Sequence, residues 1–402
     1  MWILEKNTPQ RPRGLKQRFV SALLYCTGEM QQLHTHMQDK FFPLQLVEWC
    51  LRGISRVILL NNPLSGALIL AALLLESPWQ ALLGMLGLLA STFTAIILGQ
   101  DCEEVSSGLH GFNGMLVALL MGVFSSAGDW YWWLLLPVCL GGAATTFLSS
   151  SLSPLLDRWD LPVNVFPFNT VIVLYLACTG TSNPYFPNHP AQPPGAPGST
   201  NHTQLHGVVL GVGQIFACGT VGSSLLILGA VFLFSPILAV YALLGSGIST
   251  MAGLSMSVQH SFLYSGLSGF NGALGCMAVG VFYILSCRTH LLSIANALLS
   301  AYTDIALSNL LGVVSEHTNM HTLSSTPSGF HFCIQPVFVC FPLTCAVGSP
   351  SKQLGCNSDR HSDAVADRKK PQRIQNPYWK SILARTELAL TQAMVCGQYE
   401  CN

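Results

Sequence analysis

Charge is what this chain lacks. Asp, Glu, Lys and Arg make up 9% of its 402 residues, while half are hydrophobic; about a quarter are charged in an average soluble domain. Between Val57 and Val314 the only Lys or Arg residues are Arg158 and Arg288. Acidic residues such as Asp101, Glu103, Glu104, Asp129, Asp157 and Asp160 gather where apolar runs break. A soluble protein of this size cannot cover itself with so little charge, whereas a lipid-facing surface is meant to be apolar.

Other absences narrow the reading further. There is no Cys-x-x-Cys pair; the 14 cysteines stand singly, as at Cys102, Cys139, Cys178, Cys218 and Cys276, and read as small core residues. His34-Thr-His36 has no further ligand types nearby, so no metal and no cofactor is expected. No nucleophile–base constellation recurs in the apolar segments, which argues against an enzyme, and no nucleic-acid partner is expected. No secretory signal peptide is expected either: Lys6, Arg11, Arg13, Lys16 and Arg18 surround no apolar stretch with a cleavage site. This basic flank predicts a cytoplasmic N-terminal arm over residues 1–40.

Clean 20-residue apolar runs are scarce too. Pro63–Leu75, Met115–Phe124 and Val163–Thr179 are short, and many segments carry Gly, Ser or Pro. Some fall short of the roughly 30 Å of hydrocarbon that a helix must cross at about 1.5 Å per residue. Short, interrupted segments survive at membrane depth only when buried against protein or lining a cavity. A transporter or channel fits that pattern.

An internal repeat is plainly present. Gly108-Leu-His-Gly-Phe-Asn-Gly-Met-Leu-Val-Ala-Leu-Leu-Met-Gly-Val-Phe124 and Gly266-Leu-Ser-Gly-Phe-Asn-Gly-Ala-Leu-Gly-Cys-Met-Ala-Val-Gly-Val-Phe282 agree at 10 of 17 positions, with an offset of 158. The same offset pairs Ser77-Pro78 with Ser235-Pro236, Gly87 with Gly245, Ser91-Thr92 with Ser249-Thr250, and Gly53 with Gly211. The halves are read as residues 41–180 and 207–314.

Between them lies a Pro-, Asn- and Gly-rich loop, residues 181–206, carrying the N-glycosylation pattern Asn201-His-Thr203. An outside loop and an inside N-terminus require an odd number of crossings in the first half. The halves then run in opposite orientations. The expected fold is an all-α polytopic membrane protein of two inverted-topology repeats, with substrate sites near the repeat interface.

The motifs Asn61-Asn-Pro-Leu-Ser-Gly66, Gly108–Gly114 with its copy Gly266–Gly272, the Gln214 segment and Leu161-Pro-Val-Asn-Val-Phe-Pro-Phe-Asn169 together resemble the urea transporters of vertebrate type. The last motif is similar to the family signature LPxxTxPF, with Leu161, Pro162, Pro167 and Phe168 at fixed positions. The resemblance spans about Phe41 to Val314. It implies five membrane helices and one re-entrant pore helix per repeat, homotrimers or heterotrimers with related channels, and passive urea movement across the cell membrane.

The residues are compatible with that chemistry. Urea is planar and neutral, with four N–H donors and one carbonyl, and a path must replace its water hydrogen bonds. Broken helix ends offer free carbonyls. Phe112 and Phe270 serve either as flat walls or as packing between close helices; Asn113 and Asn271 either face the path or satisfy helix ends.

The chain departs from the family pattern at several points. A path-lining Gln stands seven residues before the Pro of the NP motif in the family; Gln214 keeps it, but Arg56 replaces it in the first half. The signature Thr is Val165, and the second NP motif is replaced by Thr220-Val-Gly-Ser-Ser. Beyond Val314 no second LPxxTxPF follows, which puts the last helix of the second repeat in doubt. Residues 315–402, with eight of the 18 basic residues, form an atypical tail. Facilitative urea transport is the leading reading. The alternative is a non-conducting subunit that modulates complete channels; a coupled transporter or ammonium channel is a weaker one.

Overall fold

A computed structural model describes residues 26–125, 129–156, 158, 163, 165–179, 204–283 and 286–318. The Pro-rich loop with Asn201, the signature residues Leu161 and Pro162, the arm before residue 26 and the tail after Thr318 lie outside the described residues.

The described residues are helical. In the first half these are α1 (Gln31–Met37), α2 (Phe42–Arg56), α3 (Pro63–Glu76), α4 (Pro78–Ile97), α5 (Cys102–Ser106), α6 (Gly111–Val123), α7 (Leu135–Leu156) and α8 (Phe166–Thr179). In the second they are α9 (Gln204–Gly213), α10 (Val221–Phe234), α11 (Pro236–Ser255), α12 (His260–Tyr264), α13 (Phe270–Phe282) and α14 (Cys287–Thr318). Adding 158 to the bounds of α4 and α5 gives those of α11 and α12, and adding it to α6 falls within one residue of α13. Helix bounds thus recur at the offset that the sequence matches share.

Helix boundaries follow from local chemistry. Pro63, Pro78 and Pro236 sit in the first turn of their helices, where a missing N–H costs nothing. Ser77, extended at φ −156°, ends α3 and caps α4 by accepting from Gln80 N; Ser235, at the same φ, ends α10 and precedes α11. Helices α4, α11 and the run Trp132–Leu156 are long and apolar enough to cross a membrane, and α9 with its extension to Phe216 makes a bent pair with α10 at 75°. Helices α3 and α10, at 14 residues each, span only about 21 Å.

Packing repeats as well. Helix α4 lies against α6 and α7, and α11 against α13 and α14. The close approach comes from glycine: a Cβ on Gly87 or Gly114 would run into the other's carbonyl, and the same holds for Gly245 and Gly272. Small residues at such crossings are how helices associate in lipid, where burial of apolar surface supplies no drive.

The halves meet chiefly through α3 and α10. Ser65 Oγ, at the start of α3, donates to Ala230 O near the end of α10 at 2.7 Å, and Glu76 at the end of α3 bonds residues at the start of α10. The two helices therefore run antiparallel. Around them a single apolar cluster draws Ile54, Phe112 and Met115 from one half and Val212, Phe216 and Phe270 from the other.

A candidate solute path between two broken helices

Between α2 and α3, and between α9 and α10, the helix breaks in the same way. Leu59 and Ala217, 158 residues apart, adopt left-handed φ of 64° and 56°. Leu59 N donates to Arg56 O at 2.9 Å and Ala217 N to Gln214 O at 3.0 Å; Leu60 N donates to Ser55 O and Cys218 N to Gly213 O, both at 3.1 Å. Non-glycine residues at such φ carry strain that the surroundings must hold. Its recurrence at both breaks marks a built feature rather than a local accident.

The last side chain before each break performs the same task. Gln214 Nε2 donates to Ser265 O at 2.9 Å, and Arg56 Nε donates to Ser107 O, the matched carbonyl, at 3.1 Å. Both carbonyls precede a glycine with positive φ, Gly108 at 75° and Gly266 at 81°, whose missing Cβ lets the chain touch Gly53 and Gly211. Arg56 thus keeps the donor half of the expected Gln.

Arg56 brings a charge that Gln does not, and Glu29 lies close enough to interact with it electrostatically. Glu29 is 5% exposed. Burial pushes its carboxyl up from the ordinary value, opposed by Arg56, Arg52 and a hydrogen bond with Asn61. Its backbone is held by a second buried guanidinium. Arg52 donates from Nη1 to Glu29 O at 3.0 Å and Asn61 O at 2.9 Å, and from Nε to Glu48 Oε1 at 2.7 Å. His34 Nδ1 also meets Glu48 Oε1, at 3.0 Å. In the second half the matched positions of Glu48 and Arg52 are His206 and Leu210, so this polar knot belongs to the first half.

The other expected residues fall into two groups. Phe112 and Phe270, both buried, join the central apolar cluster with break residues Ile58, Leu60, Ile215 and Cys218, and Val165 packs against it. Phe168 belongs instead to a cluster of the first half, with Trp79, Met121, Val138 and Ile172, and Pro167 is buried at the start of α8. Asn113 and Asn271 are buried, and Asn271 hydrogen-bonds Asp304 on α14, which ties α13 to its neighbour.

One residue escaped the reading of the sequence. Glu76, at the end of α3, accepts from Gly219 N at 3.0 Å, Thr220 N at 3.3 Å and Thr220 Oγ1 at 2.6 Å, and also from Ser223 Oγ. Its partners are 143–147 residues away, so no spacing motif signals it. The lost second NP motif was the available clue, since a helix start without its cap needs another acceptor. Among the described residues no three His, Cys, Asp or Glu side chains are grouped to hold a metal.

Comparison with known proteins agrees with this architecture. The family profile described as Urea transporter matches residues 47–325. It runs past Val314, where the sequence resemblance was expected to stop, as does α14, which continues to Thr318. Urea transporter 1 of Ovis aries is 40% identical over 319 residues, covering 77% of this chain and 83% of that protein. Urea transporter 1 of Rattus norvegicus is 41% identical over 302 residues, covering 73% and 79%. With its apolar helices, its repeat and this extent of similarity, the chain belongs to the urea transporter family, membrane transport proteins rather than enzymes.

Proposed function

We propose that the chain moves urea passively across the cell membrane, along a path at the interface of two inverted repeats. The observation that carries this reading is the matched pair of breaks, each with a side-chain N–H fixed on a backbone carbonyl and with break residues in the apolar cluster that holds Phe112 and Phe270. Antiparallel packing of the equivalent helices α3 and α10 supports inversion, since it places a pseudo-two-fold axis across them.

Breaks release carbonyls from helical bonding, and these are the acceptors that four urea N–H groups need in place of water. Gln214 supplies a donor and an acceptor on one amide. Phe112 and Phe270 offer flat apolar faces suited to a planar solute. No coupling ion is invoked. Homotrimers, a cytoplasmic N-terminus and glycan on Asn201 complete the proposal; removal of a glycan by glycosidase on intact cells tests the last.

Urea efflux from proteoliposomes tests the function. The expected result is a rate above that of protein-free vesicles, insensitive to Na⁺ or pH gradients. A rate equal to protein-free vesicles, with protein reconstituted, overturns it. Arg56 favours a second reading, a non-conducting subunit, because a fixed cation opposes passage of a neutral solute. Co-expression with a complete relative then lowers that relative's flux; unchanged flux despite co-purification excludes it.

A further inference from the structure

We infer that Glu76 is a positioning residue for transport: a carboxylate of the first half that anchors the start of α10, where the second half lacks a capping asparagine. The inference rests on the transport reading above and names what holds one side of the path in place.

The two helix starts are held differently. At α3, Asn62 Oδ1 accepts from Leu64 N at 2.8 Å and Ser65 N at 3.0 Å, a local cap. At α10 the matched residue is Thr220, whose side chain makes no such bond to its own helix start. Glu76 reaches across from α3 and holds the entry to the helix, binding the N–H groups of Gly219 and Thr220 and the hydroxyls of Thr220 and Ser223; in the first half the N–H of Asn62 is held by Ser55 Oγ, whose matched residue is Gly213. A carboxylate at a helix N-terminus also meets the positive end of the helix dipole. Charge-assisted bonds of this kind are about twice as strong as neutral ones.

This anchor is one-sided. The position matched to Glu76 is Phe234, so the far end of the α3–α10 pair has no reciprocal carboxylate. It is closed by the segment before α1: Asn62 Nδ2 donates to Cys26 O at 2.9 Å and Gly28 O at 2.6 Å, while Gly28 N donates to Phe234 O at 3.2 Å. Glu76 therefore secures the break that carries Gln214 and Cys218, and it does so from the opposite half.

The test is a set of full-length variants, Glu76→Ala, Glu76→Gln, Thr220→Asn and the double variant Glu76→Ala/Thr220→Asn, in proteoliposomes and in detergent. Glu76→Ala is expected to lower urea permeability per reconstituted copy about tenfold, to lower the thermal unfolding midpoint, and to lower the urea-to-methylurea permeability ratio. That ratio does not move when less protein is merely folded. Glu76→Gln, which keeps one acceptor oxygen but neither the second nor the charge, falls between.

Thr220→Asn restores a local cap, so it recovers the double variant to within about threefold of wild type while changing wild type little. Unchanged permeability and midpoint in Glu76→Ala, or no recovery in the double variant, overturns the inference. A wild-type chain that passes no urea overturns the transport reading instead, and the unfolding midpoints still decide whether Glu76 caps α10.

Discussion

Residues 56–62 and 214–220 trace one backbone course, with a left-handed residue three positions in and the same two hydrogen bonds behind it. Yet Arg56 stands where Gln214 does, and Asn62 where Thr220 does. Each replacement is met by an acid from elsewhere in the chain: Glu29 beside Arg56, and Glu76 on Thr220. The backbone of a break is set by its glycine contacts and its own N–H bonds, which the two halves share. Side chains on that backbone are free to diverge provided a neighbour satisfies the charge or donor that results.

The largest test breaks what the halves share. Gly114→Leu and Gly272→Leu each place a side chain against the backbone of the facing helix, at Gly87 and Gly245. Both should cost at least about 3 kcal/mol and remove most folded protein from the membrane, to equal degrees. Surface labelling measures this. A tolerated substitution in one half only would show that the two seams are not equivalent.

Exchanging the side chains at the breaks comes next. Arg56→Gln is expected to raise urea permeability per copy about tenfold, because it keeps a donor for Ser107 O, adds an acceptor and removes a fixed charge. Gln214→Arg should lower it by a larger factor, since the position matched to Glu29 is Pro187, which brings no acid to a cation there. Efflux from proteoliposomes compares them. Equal effects of the two exchanges would mean that Glu29 does nothing for Arg56.

A smaller difference is expected between the caps. Asn62→Ala removes a local cap and two bonds to the segment at Cys26 and Gly28, so it should cost about 2 kcal/mol. Thr220→Ala leaves the bonds from Gly219 N and Thr220 N to Glu76 in place and should cost about 0.5 kcal/mol. Thermal unfolding of the two variants in one detergent reads the gap. Equal losses would show that Glu76 contributes little without the Thr220 hydroxyl.

Much of this was legible in the sequence. The offset of 158 gave the helix pairs, because apolar runs, prolines and glycines are local features that recur in register. Arg56 and Thr220 stood out as departures for the same reason. Their remedies did not, since Glu29 and Glu76 find their partners only through the fold. Glu76 ends an apolar run, where an acid reads as a solvated interface residue. Asn113 and Asn271 stayed ambiguous because a buried amide serves packing and path alike; Asn271 bonds Asp304, a partner that sequence spacing does not announce.

The smallest effect separates two environments for Val165, where the family signature has Thr. Val165 precedes α8, packs against both apolar clusters, and its carbonyl accepts from Asn169 N at 3.0 Å and Asn169 Nδ2 at 2.9 Å. Val165→Thr keeps shape and adds a hydroxyl. If the side chain borders the path, water or solute satisfies that hydroxyl, stability is unchanged, and urea permeability rises about twofold through one more acceptor. If the site is dry, the hydroxyl is buried without a partner, the unfolding midpoint falls by the equivalent of about 1–3 kcal/mol, and permeability does not rise. The first outcome is expected, because Val165 is only partly buried beside the cluster that holds Phe112 and Phe270. The second would move the path away from the first half's signature and leave its polar lining to Gln214 and the two broken backbones.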